Sequence, residues 1–202
     1  MAGTSLAAGC SPPDVSGMRR LAILLLSVVL LAFAGPVAAQ DRAARLDALF
    51  AQLQTVAPED EPALQIAIWQ VWLAYDGTDA EVPGLLERGN TAMQADDYAV
   101  AEAAFTAVIE RDPAYAEGWN RRATVRYLRG DIQGSVADID QVLAREPRHF
   151  GALSGLGLCR IKLGDIKGAI EAYQRVLAID PQMEAARNQI ATLKQLQAGD
   201  PI

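Results

Sequence analysis

Three short segments, Arg111-Asp112-Pro113, Arg145-Glu146-Pro147 and Ile179-Asp180-Pro181, recur at intervals of 34 residues, and each closes a stretch built on the same plan. Proline has no amide donor and clashes with the preceding helical turn, so each segment marks the end of a helix. A fixed interval of this length between helix-ending signals is the period of a helical hairpin stacked on copies of itself. Such a chain buries its apolar faces only against neighbouring hairpins, which makes it a scaffold first and leaves its ligand open.

With each proline placed at position 32, the units are 82–115, 116–149 and 150–183. Each reads as helix, tight turn, helix, short turn. In the third unit Leu153, Leu156, Gly157 and Ile161 give the first helix an apolar face, Gly164-Asp165 interrupts it, and Ala169, Ile170, Tyr173, Val176 and Leu177 form the second. Spacings of three and four residues are helical. Small residues at position 8 (Gly89, Ala123, Gly157) and position 20 (Ala101, Ser135, Ala169) allow paired helices to approach closely. Position 4 (Leu85, Trp119, Leu153) and position 24 (Phe105, Ile139, Tyr173) supply the bulk around them. Gly130 and Gly164 suit left-handed helix ends, whereas the first unit has Asp96-Asp97 there and is expected to have the loosest turn.

This pattern resembles the tetratricopeptide repeat family, whose consensus of a large residue at position 4, Leu at 7, Gly or Ala at 8, Tyr at 11, Ala at 20, an aromatic at 24, Ala at 27 and Pro at 32 is matched best by the third unit. Departures occur at position 7 (Arg88, Arg122), position 11 (Ala92, Arg126, Arg160) and position 27 (Val108, Val142, Val176). The resemblance implies an all-α fold, a right-handed superhelical solenoid of antiparallel helix pairs. Residues 40–81 are read as an N-terminal helical pair, a cap or degenerate repeat, with Leu46, Leu49, Phe50 and Leu53 on one helix and Leu64, Ile68, Val71 and Trp72 on the other. Residues 184–202 are read as a C-terminal capping helix and tail, with Ala186, Ile190, Leu193 and Leu196 inward.

The N-terminus has a different character. Met18-Arg19-Arg20 precedes the apolar run Leu21 to Ala34, Gly35-Pro36 ends it, and Val37-Ala38-Ala39 offers small residues to signal peptidase. Residues 1–39 are therefore expected to be leader and signal peptide, cleaved near Ala39-Gln40, with 1–17 upstream of the true start at Met18. The run is shorter than the roughly 20 apolar residues of a membrane span. In either case the basic residues stay inside and the remainder is exported, to the periplasm or beyond, or stays anchored facing the periplasm if the leader is uncleaved. Processing would leave 16 Lys+Arg against 24 Asp+Glu, a charge of −8, which repels nucleic acid and anionic membrane. Cys159 would then stand alone, a small hydrophobe in a helix, so no intramolecular disulfide is expected.

The resemblance places the binding surface on the first helix of each unit. Its candidate residues are Leu86, Asn90 and Met93 in the first, Asn120, Arg121, Thr124 and Tyr127 in the second, and Leu158 and Ile161 in the third. Amides, a hydroxyl and Tyr127 with apolar flanks suit an extended peptide or helix of a protein partner. Arg121, Arg122, Arg126 and Arg129 admit two readings: forks for an acidic peptide terminus, or ion pairs with Glu117, Asp131 or Asp138. The family's two-carboxylate clamp is not reproduced, since Leu86, Arg121 and Gly155 stand at its positions. Trp69 and Trp72 are read as capping the core or seeding a dimer contact.

Catalysis has little to work with. His149 is the only histidine and lies in an inter-repeat turn, which disfavours a histidine-based triad or metal site. Gly155-Leu156-Gly157 sits within a helix and forms no phosphate loop. The expected function is a non-catalytic interaction scaffold of the cell envelope with no cofactor, no metal and no nucleic acid. The alternatives are an assembly subunit anchored by an uncleaved leader and an accessory subunit that presents substrate to an enzyme.

Overall fold

The computed structural model describes residues 37–198, with side chains described from residue 41 onward. The chain divides into two units, Met1–Asp41 and Arg42–Ile202, and residues 1–36 of the leader assigned to 1–39 lie outside the described residues. The described residues form nine helices and no strand: α1 (Val37–Leu53), α2 (Glu61–Leu73), α3 (Val82–Gln94), α4 (Tyr98–Arg111), α5 (Ala116–Arg129), α6 (Ile132–Arg145), α7 (Phe150–Lys162), α8 (Ile166–Ile179) and α9 (Glu184–Ala198). None of them is long and apolar enough to cross a membrane.

Helices α3 to α8 are three hairpins whose turns repeat atom for atom. Each first helix ends on a left-handed residue, Asp96 (φ 55°), Gly130 (φ 84°) or Gly164 (φ 76°). The next residue, Asp97, Asp131 or Asp165, caps the second helix by accepting from the amide of Val100, Gly134 or Gly168. The turn of the first repeat is therefore built like the others, and the expectation that it is the loosest fails. Asp96 takes the left-handed conformation that Asp tolerates better than most residues and also accepts from Tyr98 Oη at 2.6 Å.

The acid-proline segments close the second helices by a shared device. Asp112 Oδ1 accepts from Ala114 N, Glu146 Oε1 from Arg148 N and Asp180 Oδ1 from Gln182 N, so each carboxylate satisfies the first amide after the proline. Inside the hairpins, a Cβ on Gly89 would lie 2.4 Å from Phe105 and one on Gly157 2.6 Å from Tyr173. In repeats one and three position 8 is glycine because position 24 is aromatic; repeat two pairs Ala123 with Ile139 instead. Cys159 is buried, donates weakly to Ser135 Oγ at 3.4 Å, and burial pushes its thiol pKa up.

The first two helices do not extend the solenoid beyond repeat one. Leu46, Phe50, Leu53, Ile68, Val71 and Trp72 share one core cluster with Phe150, Leu153 and Tyr173 of repeat three and with Ile190 and Leu193 of α9. Gln54 Nε2 donates to the carbonyls of Ala178 and Ile179, Gln65 Nε2 to Asp180 Oδ2, and Arg148 to Asp47 while lying over the Phe50 ring. Tyr115 Oη donates to Leu73 O, and burial pushes that phenol up to about 12.

The helical pair thus runs along the inter-repeat turns. Helix α2 is apolar along most of its length and meets the shared core through Ile68, Val71 and Trp72, while Ile66 and Leu73 stay exposed. The outward face of repeat one carries Glu87, Arg88 and Thr91, all exposed. At the other end α9 buries Ala186, Ile190 and Leu193 as expected, but Leu196 is exposed because it falls on the last turn, past the end of the repeat it covers.

Candidate functional site

Two adjoining clefts follow the first helices of the repeats. The larger, about 390 Å³, is lined by Asn90 and Met93 of α3, by Glu117, Asn120, Arg121 and Thr124 of α5, and by Trp69 and Leu73 of α2. The smaller, about 100 Å³, continues from Asn120 and Thr124 past Tyr127 to Gly151, Gly155 and Leu158 of α7. Seven of the nine candidate residues therefore lie together. Leu86 and Ile161 line neither cleft: Leu86 packs against Val82, Val108 and Tyr115, and Ile161 joins the cluster under the N-terminal helices.

The polar floor is ordered by one buried acid. Glu117 Oε1 lies 2.9 Å from His149 Nε2, and both of its oxygens accept from Asn120 Nδ2. His149 Nδ1 accepts from the amide of Ala152 at 3.0 Å and so caps α7, which places the ring proton on Nε2 as a donor to Glu117. The imidazole stacks on Trp72 with ring centroids 4.0 Å apart and planes 9° from parallel. His149 thus locks α2, α5 and α7 to one another; its turn position in the sequence gives no hint of this. On the cleft side Arg121 Nη1 donates to Asn90 Oδ1, whereas Arg121 Nε is buried 3.8 Å from Glu117 Oε2 and has no hydrogen-bond acceptor.

The other three arginines are committed elsewhere. Arg122 grips buried Asp138 through Nε at 2.9 Å and Nη2 at 2.7 Å, and Arg126 adds Nη1 at 3.0 Å. Glu102 accepts from Arg126 Nε and from Arg129. Burial raises the Glu102 carboxyl, but the two arginine hydrogen bonds outweigh it and hold the group below its ordinary range. Of the two readings of the arginines, ion pairing accounts for these three, and only Arg121 faces a cleft.

Trp69 and Leu73 were not legible as groove residues. A Cβ on Gly151 would lie 2.7 Å from the Trp69 ring, so the glycine at position 2 of repeat three makes room for a side chain from α2. The signal available in the sequence was the missing side chain at that position. Trp72 is the core residue of the pair and Trp69 forms a cleft wall.

A model of the tetratricopeptide repeat family matches residues 86–138 and 129–184. A TPR repeat-containing protein of Rhizobium etli is 33% identical over 100 residues, 49% of this chain and 48% of that protein, so the chain spans about half the length of this curated relative. Among solved structures, the Sgt2 TPR domain from Aspergillus fumigatus is 25% identical with a TM-score of 0.57, over 62% of this chain and 88% of that one. The first TPR of Spaghetti (RPAP3), bound to the HSP90 peptide SRMEEVD, is 24% identical with a TM-score of 0.56 and covers 58% of this chain and 96% of that one. MamA is 21% identical with a TM-score of 0.56 and covers 69% and 81%.

Proposed function

The repeat region of this chain belongs to the tetratricopeptide repeat family, and from that premise we propose that the protein is a non-catalytic scaffold that binds an extended peptide or helix of a partner protein along α3, α5 and α7. The carrying observation is the continuous pair of clefts sharing Asn120 and Thr124, with Asn90 and Arg121 on its polar side. Trp69, Leu73, Met93, Tyr127 and Leu158 supply the apolar walls. The structural likeness supports this mode by analogy: the RPAP3 domain binds an HSP90 peptide, and the TPR2B domain of yeast Sti1 forms a complex with pHsp70.

Crosslinking in the native host followed by mass spectrometry tests the proposal. Asn120→Ala with Tyr127→Ala is expected to remove partners that the unaltered chain captures; an unchanged partner set sinks the reading. We also place the protein in the cell envelope, on the pattern Met18 to Ala39 alone. N-terminal sequencing of the native protein is expected to begin at Gln40, and an intact leader would favour the anchored form.

A further inference from the structure

The 34-residue register puts Arg126 of repeat two and Arg160 of repeat three at the same position, and the two meet different surroundings. Arg126 is met by Glu102 from the preceding repeat and by Asp138 from its own second helix, at 3.0 Å each. The equivalent residues around Arg160 are Val136 and Ala172, neither of which can accept a hydrogen bond from a side chain. Arg160 retains one pair, Nη1 to Asp165 Oδ2 at 2.7 Å, and its side chain is 41% exposed.

The space that Arg122 and Asp138 fill in repeat two is an open pocket of about 250 Å³ in repeat three. Leu156 and Ala172 form its apolar floor. Arg160, Lys167 and Arg175 are the cations around it, Asp165 and Glu171 the acids. Lys167 and Arg175 make no ion pair among the described residues. The pocket therefore carries a local positive excess on a chain of net charge −7, and it shares no residue with the two clefts.

We propose that this pocket between α7 and α8 binds an acidic segment of a partner protein, whose side-chain carboxylate takes the place beside Arg160 that Glu102 and Asp138 hold beside Arg126. The guanidinium offers its remaining N–H groups, the apolar floor takes the methylenes of a glutamate, and Lys167 and Arg175 receive further carboxylates.

The test uses the full chain, isotope-labelled, with the arginine Nε–Hε signals followed by NMR during titration with acetyl-hexaglutamate amide. The Arg160 signal is expected to shift saturably while that of Arg126 stays in place. Arg160→Gln is expected to abolish the peptide-induced shifts of the pocket residues. Ala172→Asp, which copies Asp138 into repeat three, fills the position from within and is expected to weaken binding about fivefold, the factor for one modest ion pair. Where that variant does not fold, Val136→Glu, which copies Glu102, makes the same competition. The proposal is overturned by an unmoved Arg160 signal, by an equal shift of Arg126, or by undiminished binding in the internally filled variant. An equal response to sodium acetate at matched carboxylate concentration also overturns it, since that identifies a free-anion site.

Discussion

In repeat two the space between the hairpin helices is closed by Arg122, Arg126 and Asp138, whereas repeat three holds Leu156, Arg160 and Ala172 at the same positions. Backbone turns and second-helix caps are the same in both, while the small residue at position 8 meets Ile139 in repeat two and Tyr173 in repeat three. The same hairpin therefore accepts either an ionic or an apolar lining of this space. The two solutions differ in what they leave for the outside. Repeat two consumes three arginines internally and offers Arg121 to the clefts, while repeat three leaves Arg160 under-satisfied at a pocket.

The largest expected effect tests whether repeat three also depends on the N-terminal helices. Trp72→Ala removes a buried ring stacked on His149 and is expected to cost about 3–5 kcal/mol in urea unfolding. A loss below about 1 kcal/mol would mean that repeat three stands without α2.

Next comes the ionic filling of repeat two. Asp138→Ala strands two arginines in a largely buried site and should cost about 2–4 kcal/mol, at the lower part of the range for buried pairs because Arg126 is 22% exposed. Adding Arg122→Leu gives repeat two the composition of repeat three and is expected to recover most of that loss. A double variant no more stable than Asp138→Ala would show that the two repeats are not interchangeable solutions.

A smaller effect separates them by pH. Glu102 titrates below its ordinary value of 4.5 when folded, so its contribution is complete above that value and is lost as pH falls through the lower folded pKa. The stability difference between the unaltered chain and Glu102→Gln should shrink on acidification below pH 4.5 and stay constant above about pH 6. A difference that grows on acidification has the wrong sign for a depressed carboxyl. Smallest of all, Asp96→Gly relieves a left-handed aspartate but loses the Tyr98 bond, and should change stability by less than about 0.5 kcal/mol.

Much of this was legible from local rules. Asp112, Glu146 and Asp180 announce their turns because a carboxylate before proline is placed to accept from the amide two residues on, and Gly89 and Gly157 announce Phe105 and Tyr173 through the period. Of the site, the register located Asn90, Met93, Asn120, Arg121, Thr124, Tyr127 and Leu158, which line the clefts. Leu86 and Ile161 line neither cleft and pack against the core instead, since a position on the groove-side helix can turn its side chain inward. The pairing of each arginine was left open, because helical spacing fixes which turn a long side chain leaves and not which carboxylate it reaches.

What the sequence determined alone is therefore the periodic part: three hairpins, their turns, the residues at each position and the chemistry those positions carry. Tertiary structure decided where α1 and α2 lie, that His149 joins Trp72 to Glu117, and that Trp69 walls a cleft beside Gly151. The physical reason is range. Turns, caps and stacking of adjacent repeats involve residues within about one period of each other, whereas the N-terminal helices choose among several apolar surfaces far away in the chain. That choice rests on the summed burial and hydrogen bonding of the whole interface, and no local pattern encodes it.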